Sequence, residues 1–228
     1  MPEALEASVG IGVVHLFCTV GEGTDRAAVE TAVKAAGADE LQVVPVAVLG
    51  HKADVAFMVL GKDWWKLKSF QTAIQVAGLT VIDSYVSMTE LSEYAKGLPE
   101  QMANARLYPQ LPPEGMSAWC FYPMSKKRER KANWFTLPFE ERKELMLEHG
   151  ASGRKFAGRI VQLITGSAGV DDYEWGVTLF AQRPDDLKEV VYTMRFDEAS
   201  AKYADFGPFV AGVVGTLGEV LDAAGLPD

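Results

Sequence analysis

Only three histidines occur in 228 residues, so any chemistry that needs an imidazole must choose among His15, His51 and His149. His15 lies inside an apolar, β-branched run, where it reads as a core or interface residue with a satisfied partner. His51 follows Gly50 in a turn and reads as a solvated loop residue. His149 ends the helical segment PFEERKELMLEHG, directly before Gly150. Protonated there, it would stabilise the helix dipole. Neutral, with an acceptor behind its ring, it could ligate a metal. A solitary histidine cannot build a multi-ligand metal site, yet it suffices for an iron porphyrin, which needs one protein ligand.

Tyr122 stands in SAWCFYPMSKKRER. Strand alternation places Cys120, Tyr122 and Met124 on one face and Trp119 and Phe121 on the other. The strand then enters a basic run containing Lys126, Lys127, Arg128 and Arg130. One reading is a half-buried aromatic beside a hydrated loop. The other is a phenol placed to give up a hydrogen atom, with neighbouring cations holding a substrate carboxylate. The sequence holds no GxxxxGK[ST] loop, no HExxH and no GxSxG elbow.

With 31 acidic and 22 basic residues, the formal charge of -9 argues against a nucleic acid or an anionic membrane as partner. A small molecule or a protein fits better. The segment MPEALEASVG has no basic region before an apolar run, so a secretory signal is not expected. No apolar stretch reaches the roughly 20 residues that span a bilayer. Cys18 and Cys120 each sit in an apolar strand-like run, which favours reduced, buried thiols in a cytoplasmic protein.

The elements that must position these residues follow a repeated order. VGIGVVHLFCTV reads as a strand, and TDRAAVETAVKAAG as a helix capped by Thr24 and closed at Gly37. Two short apolar runs, LQVVPVAVLG and ADVAFMVLG, precede the helical KDWWKLKSFQTAIQVAG and the strand LTVIDSYVSM. Residues 89–116 are polar and proline-rich, a partly helical connector. The pattern then restarts: strand AWCFYPM, helix PFEERKELMLEHG, strands GRIVQLITGS and DYEWGVTLFAQ, and one long helix over RPDDLKEVVYTMRFDEASAKYA. The strand GPFVAGVVG and a short C-terminal helix follow. The predicted class is α+β: two ferredoxin-like β-α-β-β-α-β halves forming an antiparallel sheet or barrel flanked by helices. The expected division is residues 1–105 and 106–228. Pairing of halves or subunits should cover the open sheet faces.

FYPMSKKRE, NWFTLP, ERKELMLEHGASGRKFAGRIVQLITGS, DDYEWGVTLF and MRFDEASAKYADFG together resemble the coproheme decarboxylases, within the chlorite dismutase-like superfamily. The resemblance is dense from about Arg106 to Gly212. It implies an enzyme that converts two propionates of Fe-coproporphyrin III (coproheme) to vinyls with hydrogen peroxide, giving haem b. It implies His149 as the iron ligand and Tyr122 as the residue whose radical takes hydrogen from a propionate. Lys126 matches a lysine that holds the reacting propionate, and Met124 a pocket contact. Arg106, Arg195 and Ser200 match groups on the propionate side, and Tyr85 in SYVS is a further match. Gln162 matches the distal glutamine. True chlorite dismutases carry arginine there, and a neutral amide gives chlorite no fixed positive charge. The resemblance also implies Glu198 as acceptor behind His149, a cytoplasmic homopentamer and transient contact with coproporphyrin ferrochelatase. A haem carrier of the same fold, without turnover, is the alternative.

Overall fold

Alternating apolar runs become strands and the amphipathic segments between them become helices. The structure, a computed structural model, describes residues 2–95 and 97–226. The first half contains β1 (Gly12–Thr19), α1 (Arg26–Ala38), β2 (Gln42–Val48), β3 (Val55–Gly61), α2 (Trp64–Val76) and β4 (Thr80–Thr89). The connector holds α3 (Glu100–Leu107). The second half begins with β5 (Ala118–Lys126), a small hairpin of β6 (Arg128–Glu129) and β7 (Ala132–Asn133), and a 3-10 turn at Trp134–Thr136. It continues with α4 (Phe139–Arg154), β8 (Ile160–Gly166), β9 (Trp175–Ala181), α5 (Pro184–Met194) and α6 (Glu198–Ala201). The last elements are β10 (Ala204–Phe206), β11 (Val210–Val214) and α7 (Leu217–Ala223).

The strands of the first half lie in the order β2-β3-β1-β4 and those of the second in the order β8-β9-β5-β11, all antiparallel. Both are the ferredoxin-like order. Met88 and Thr89 pair with Gly166 and Thr165 at one seam, and Gly212–Val214 pair with Val46–Val48 at the other. The eight strands therefore close into one barrel, as the two-halves reading predicts. β10 continues alongside the end of β5.

Inside the barrel pack Phe17, Met58, Trp119, Phe121 and Phe180. His15 is buried among them, its ring centroid 4.1 Å from that of Phe121 and its Nε2 3.0 Å from Thr178 Oγ1. Burial pulls its pKa down to about 3, so it is neutral. The core reading of His15 holds for one ring nitrogen only, because Nδ1 has no partner among the described residues. His51 is exposed, and Cys18 and Cys120 are free, buried thiols. Among the described residues, no helix is long and apolar enough to cross a membrane.

Three local expectations change. The cap of α1 is Asp25, whose side chain accepts the Ala28 N–H, whereas Thr24 Oγ1 donates to the Gly78 carbonyl. α4 does not stop at His149: Gly150 and Gly153 keep helical backbone, and the helix runs to Arg154. The long helix over 183–204 breaks between Met194 and Glu198, because the Asp197 carboxylate caps α6 by accepting the Ser200 N–H. That break shapes the site.

Candidate functional site

β5 presents Tyr122 as the alternation predicts. Cys120 and Tyr122 lie outside the barrel, in a cluster with Phe156, Val177, Leu179 and Val190, while Trp119 and Phe121 point inward. Phe209 stacks on the phenol with centroids 4.3 Å apart, and Phe206 lies at 5.8 Å. Burial pushes the Tyr122 pKa well above the ordinary tyrosine range; nearby Cys120 adds to the shift and the Arg195 charge opposes it. Among the described residues the hydroxyl makes no hydrogen bond, and it is not one of the enclosed unpartnered atoms, so its tip is open. It is held as a neutral O–H.

His149 lies in the last turns of α4, with 21% of its side chain exposed. Its Nδ1 is 3.0 Å from Asp197 Oδ2 and 3.3 Å from Ser200 Oγ. A carboxylate can only accept, so Nδ1 donates toward Asp197, and a neutral ring in that orientation would present the Nε2 lone pair. Nε2 has no partner among the described residues and is not enclosed. Burial opposes ionisation of Asp197, but the contacts with His149 and Ser200 outweigh it and lower the pKa. The expected acceptor was Glu198. That residue is exposed and reaches Lys202 instead, since only the capping position directs a carboxylate toward α4.

The α5–α6 turn also gathers the cations. Arg195 is exposed, its guanidinium 4.6 Å from the centroid of Phe206, which in turn packs on Tyr122. Lys126 is buried and donates from Nζ to the Ala199 carbonyl at 2.8 Å. Met124 packs at the edge of the Tyr122 cluster. Ser200 is buried, and its Oγ faces His149 Nδ1.

Gln162 and Ile164 lie on the outer face of β8, in register with Leu179 and Val177 of β9, which oppose Cys120 and Tyr122. Two strand spacings separate Gln162 from β5, about 10 Å along the same face. Met194 of the Tyr122 cluster approaches α4 beside Gly153, so helix and phenol share one side of the sheet. The ground between them is uncovered rather than a closed chamber: Ile164 is 43% and Leu147 of α4 is 57% exposed. A cavity of about 270 Å³ flanks the α5–α6 turn at Ser152, Thr193 and Asp197. Another, of about 450 Å³, opens at Lys126, Arg128 and Glu174.

Two expected residues do not join. Tyr85 points into the barrel, where it packs 5.2 Å from Phe121 and hydrogen-bonds Ser167, because strand alternation assigns it to the interior face. Arg106 is exposed in the last turn of α3 and touches none of the others. Two residues outside the sequence-derived set do join. Asp197 carries the signature of an N-cap three residues before Ser200, and Trp134 lies under Lys126, with no sequence signal of its own.

The donor set suits an iron porphyrin. One imidazole with an unpartnered Nε2 and a carboxylate behind it would supply the single protein ligand that such a group needs. Among the described residues, no group of three or more His, Cys, Asp or Glu could hold a bare metal ion. A sequence profile of the chlorite dismutase family matches residues 24–215. The coproheme decarboxylase of Staphylococcus carnosus is 48% identical over 177 residues, covering 73% of this chain and 70% of the relative. That of Staphylococcus saprophyticus is 42% identical over 185 residues, covering 77% and 74%. A haem-binding protein from Thermus thermophilus superposes with a TM-score of 0.84 at 35% identity, over 98% of this chain and 97% of its own. A mutant chlorite dismutase from Candidatus Nitrospira defluvii gives 0.75 at 18% identity over 96% and 97%, a likeness of fold alone. Barrel, histidine-bearing helix and sequence agree: this chain belongs to the chlorite dismutase family.

Proposed function

We propose that the protein makes haem b by oxidative decarboxylation of two propionates of Fe-coproporphyrin III, with hydrogen peroxide as oxidant. For each propionate, the carboxylate, one peroxide and one proton give a vinyl group, carbon dioxide and two waters. The iron porphyrin is substrate, and its iron supplies the redox chemistry. The relatives named coproheme decarboxylase support the substrate class. The observation that carries the reading is the pairing of two unbonded atoms, His149 Nε2 and Tyr122 Oη, on one side of the sheet.

His149 binds the iron, and Asp197 and Ser200 fix its ring. Lys126 and Arg195 hold carboxylates, with Met124 at the margin and Gln162 on the β8 face. Tyr122, kept protonated by burial, loses its hydrogen when oxidised and then takes one from the propionate chain. This reading includes a cytoplasmic homopentamer that receives its substrate by transient contact with coproporphyrin ferrochelatase.

Purified protein mixed with ferric coproporphyrin III and titrated with peroxide should yield two successive losses of one formic-acid equivalent by mass spectrometry. No loss overturns the reading. The Thermus relative, named only as haem-binding, supports a second reading, a carrier. Tyr122→Phe separates them: an enzyme keeps porphyrin binding and loses vinyl formation, whereas a carrier is unaffected.

A further inference from the structure

Among the described residues, Lys126 is a buried ammonium with no carboxylate in contact. Its Nζ sits 4.4 Å from the centroid of the Trp134 ring and 2.8 Å from the Ala199 carbonyl. Asp197, capping α6, and Glu174, before β9, act on it from a distance, and Glu174 is already engaged by Arg128 and by the Lys126 backbone N–H. Burial lowers its pKa to about 8, with the two carboxylates opposing. The charge therefore depends on whatever else stabilises it.

Trp134 is itself fixed. Its backbone N–H donates to the Lys127 carbonyl at 3.0 Å, and its ring meets Tyr203 edge-on at 5.4 Å. Tyr203 in turn accepts the Lys127 N–H through its carbonyl at 2.7 Å. The indole face is thus a rigid platform, and a desolvated cation over an indole is the strongest form of the cation–π contact. The other anchor, Ala199, belongs to the short helix whose Asp197 and Ser200 orient His149.

We infer that Trp134 is a positioning residue: its indole face and the Ala199 carbonyl hold the Lys126 ammonium fixed and charged beside the His149 support. A long, flexible lysine is thereby ready for a carboxylate before substrate arrives. That it meets a propionate rests on the proposed function; its storage over Trp134 does not.

The test follows Lys126 directly, by NMR titration of isotope-labelled lysine in the full chain. Its midpoint should lie near 8 in the parent protein. Trp134→Phe, which keeps an aromatic face, should leave it nearly unchanged. Trp134→Leu should lower it by about half to one pH unit, because the face favours the charged form. Equal midpoints in the Phe and Leu variants overturn the inference. Where Trp134→Leu does not fold, incorporation of fluorinated tryptophan weakens the ring face without changing its shape, and the midpoint must again fall. In parallel, affinity for ferric coproporphyrin III should decline through the same pH range and shift with the variant. An affinity flat in pH while Lys126 titrates removes lysine from substrate binding and leaves its platform intact.

Discussion

The two halves of the barrel share a topology and differ in how the helices meet the sheet. In the first half α1 buries Val29, Ala32 and Ala36, and α2 buries Leu67, Phe70 and Ile74, against Leu16, Cys18, Val55, Phe57 and Val59. The layer is closed. In the second half α5 covers Tyr122, Val177 and Leu179, but α4, although longer, buries none of its residues and packs mainly on α5 and α6. The duplicated fold teaches that an open face arises by holding one helix off the sheet, not by adding a domain. α4 is held at its edges, by Leu145 and Met146 packed on Trp134, Ala199 and Tyr203 and by the contacts from His149 to Asp197 and Ser200, and the strand face it leaves bare is apolar.

The largest effect should come from breaking the closed half. Phe57 is fully buried and meets Phe70 edge-on at 5.7 Å. Phe57→Ala should destabilise the protein by about 3–5 kcal/mol, measured as a drop in denaturant midpoint. A loss below about 1 kcal/mol would mean that the helix layer there is not a tight core.

This contrast also explains what was legible in the sequence. Period-two and helical patterns determined the order of elements, and Tyr122 came out on the correct face because alternation is a local rule. Tyr85 was carried into the site by its motif alone, whereas its face is decided by register with β1, where it opposes His15 inside the barrel. The break at Asp197 was missed because a capping side chain competes with helix propagation only when a long-range partner, here His149, engages it. The absence of core from α4 was readable in FEERKELMLEHGASGR, which has no continuous apolar stripe. Contacts between distant segments, such as Lys126 over Trp134, have no pattern that a single sequence displays.

An intermediate effect should follow from cutting the polar strut of the open half. Asp197→Ala removes the α6 cap and the acceptor behind His149 at once. Stability should fall by about 0.5–2 kcal/mol, the cost of a lost cap. Affinity for ferric coproporphyrin III should fall roughly 10–100-fold, as for other ligand-supporting carboxylates. Asp197→Asn retains a capping oxygen and should recover most of the stability. If both variants bind porphyrin like the parent in a spectroscopic titration, His149 does not depend on this support.

The smallest change in stability carries the sharpest test of the open half. Ile164 stands on the outer face of β8, 43% exposed, two strands from Tyr122. In a protein whose surface ended there, Ile164→Ala would be a minor loss, within about 0.5 kcal/mol of the parent. If a porphyrin lies over that strand, the same side chain becomes buried on binding, and its removal costs apolar contact only in the complex. Thermal stability without ligand should therefore stay near the parental value, while the stabilisation given by saturating ferric coproporphyrin III shrinks by roughly 1 kcal/mol. Equal stabilisation of parent and variant would place the tetrapyrrole elsewhere. A loss already present without ligand would show that β8 is covered in solution, and the contrast between the two helix layers would fail.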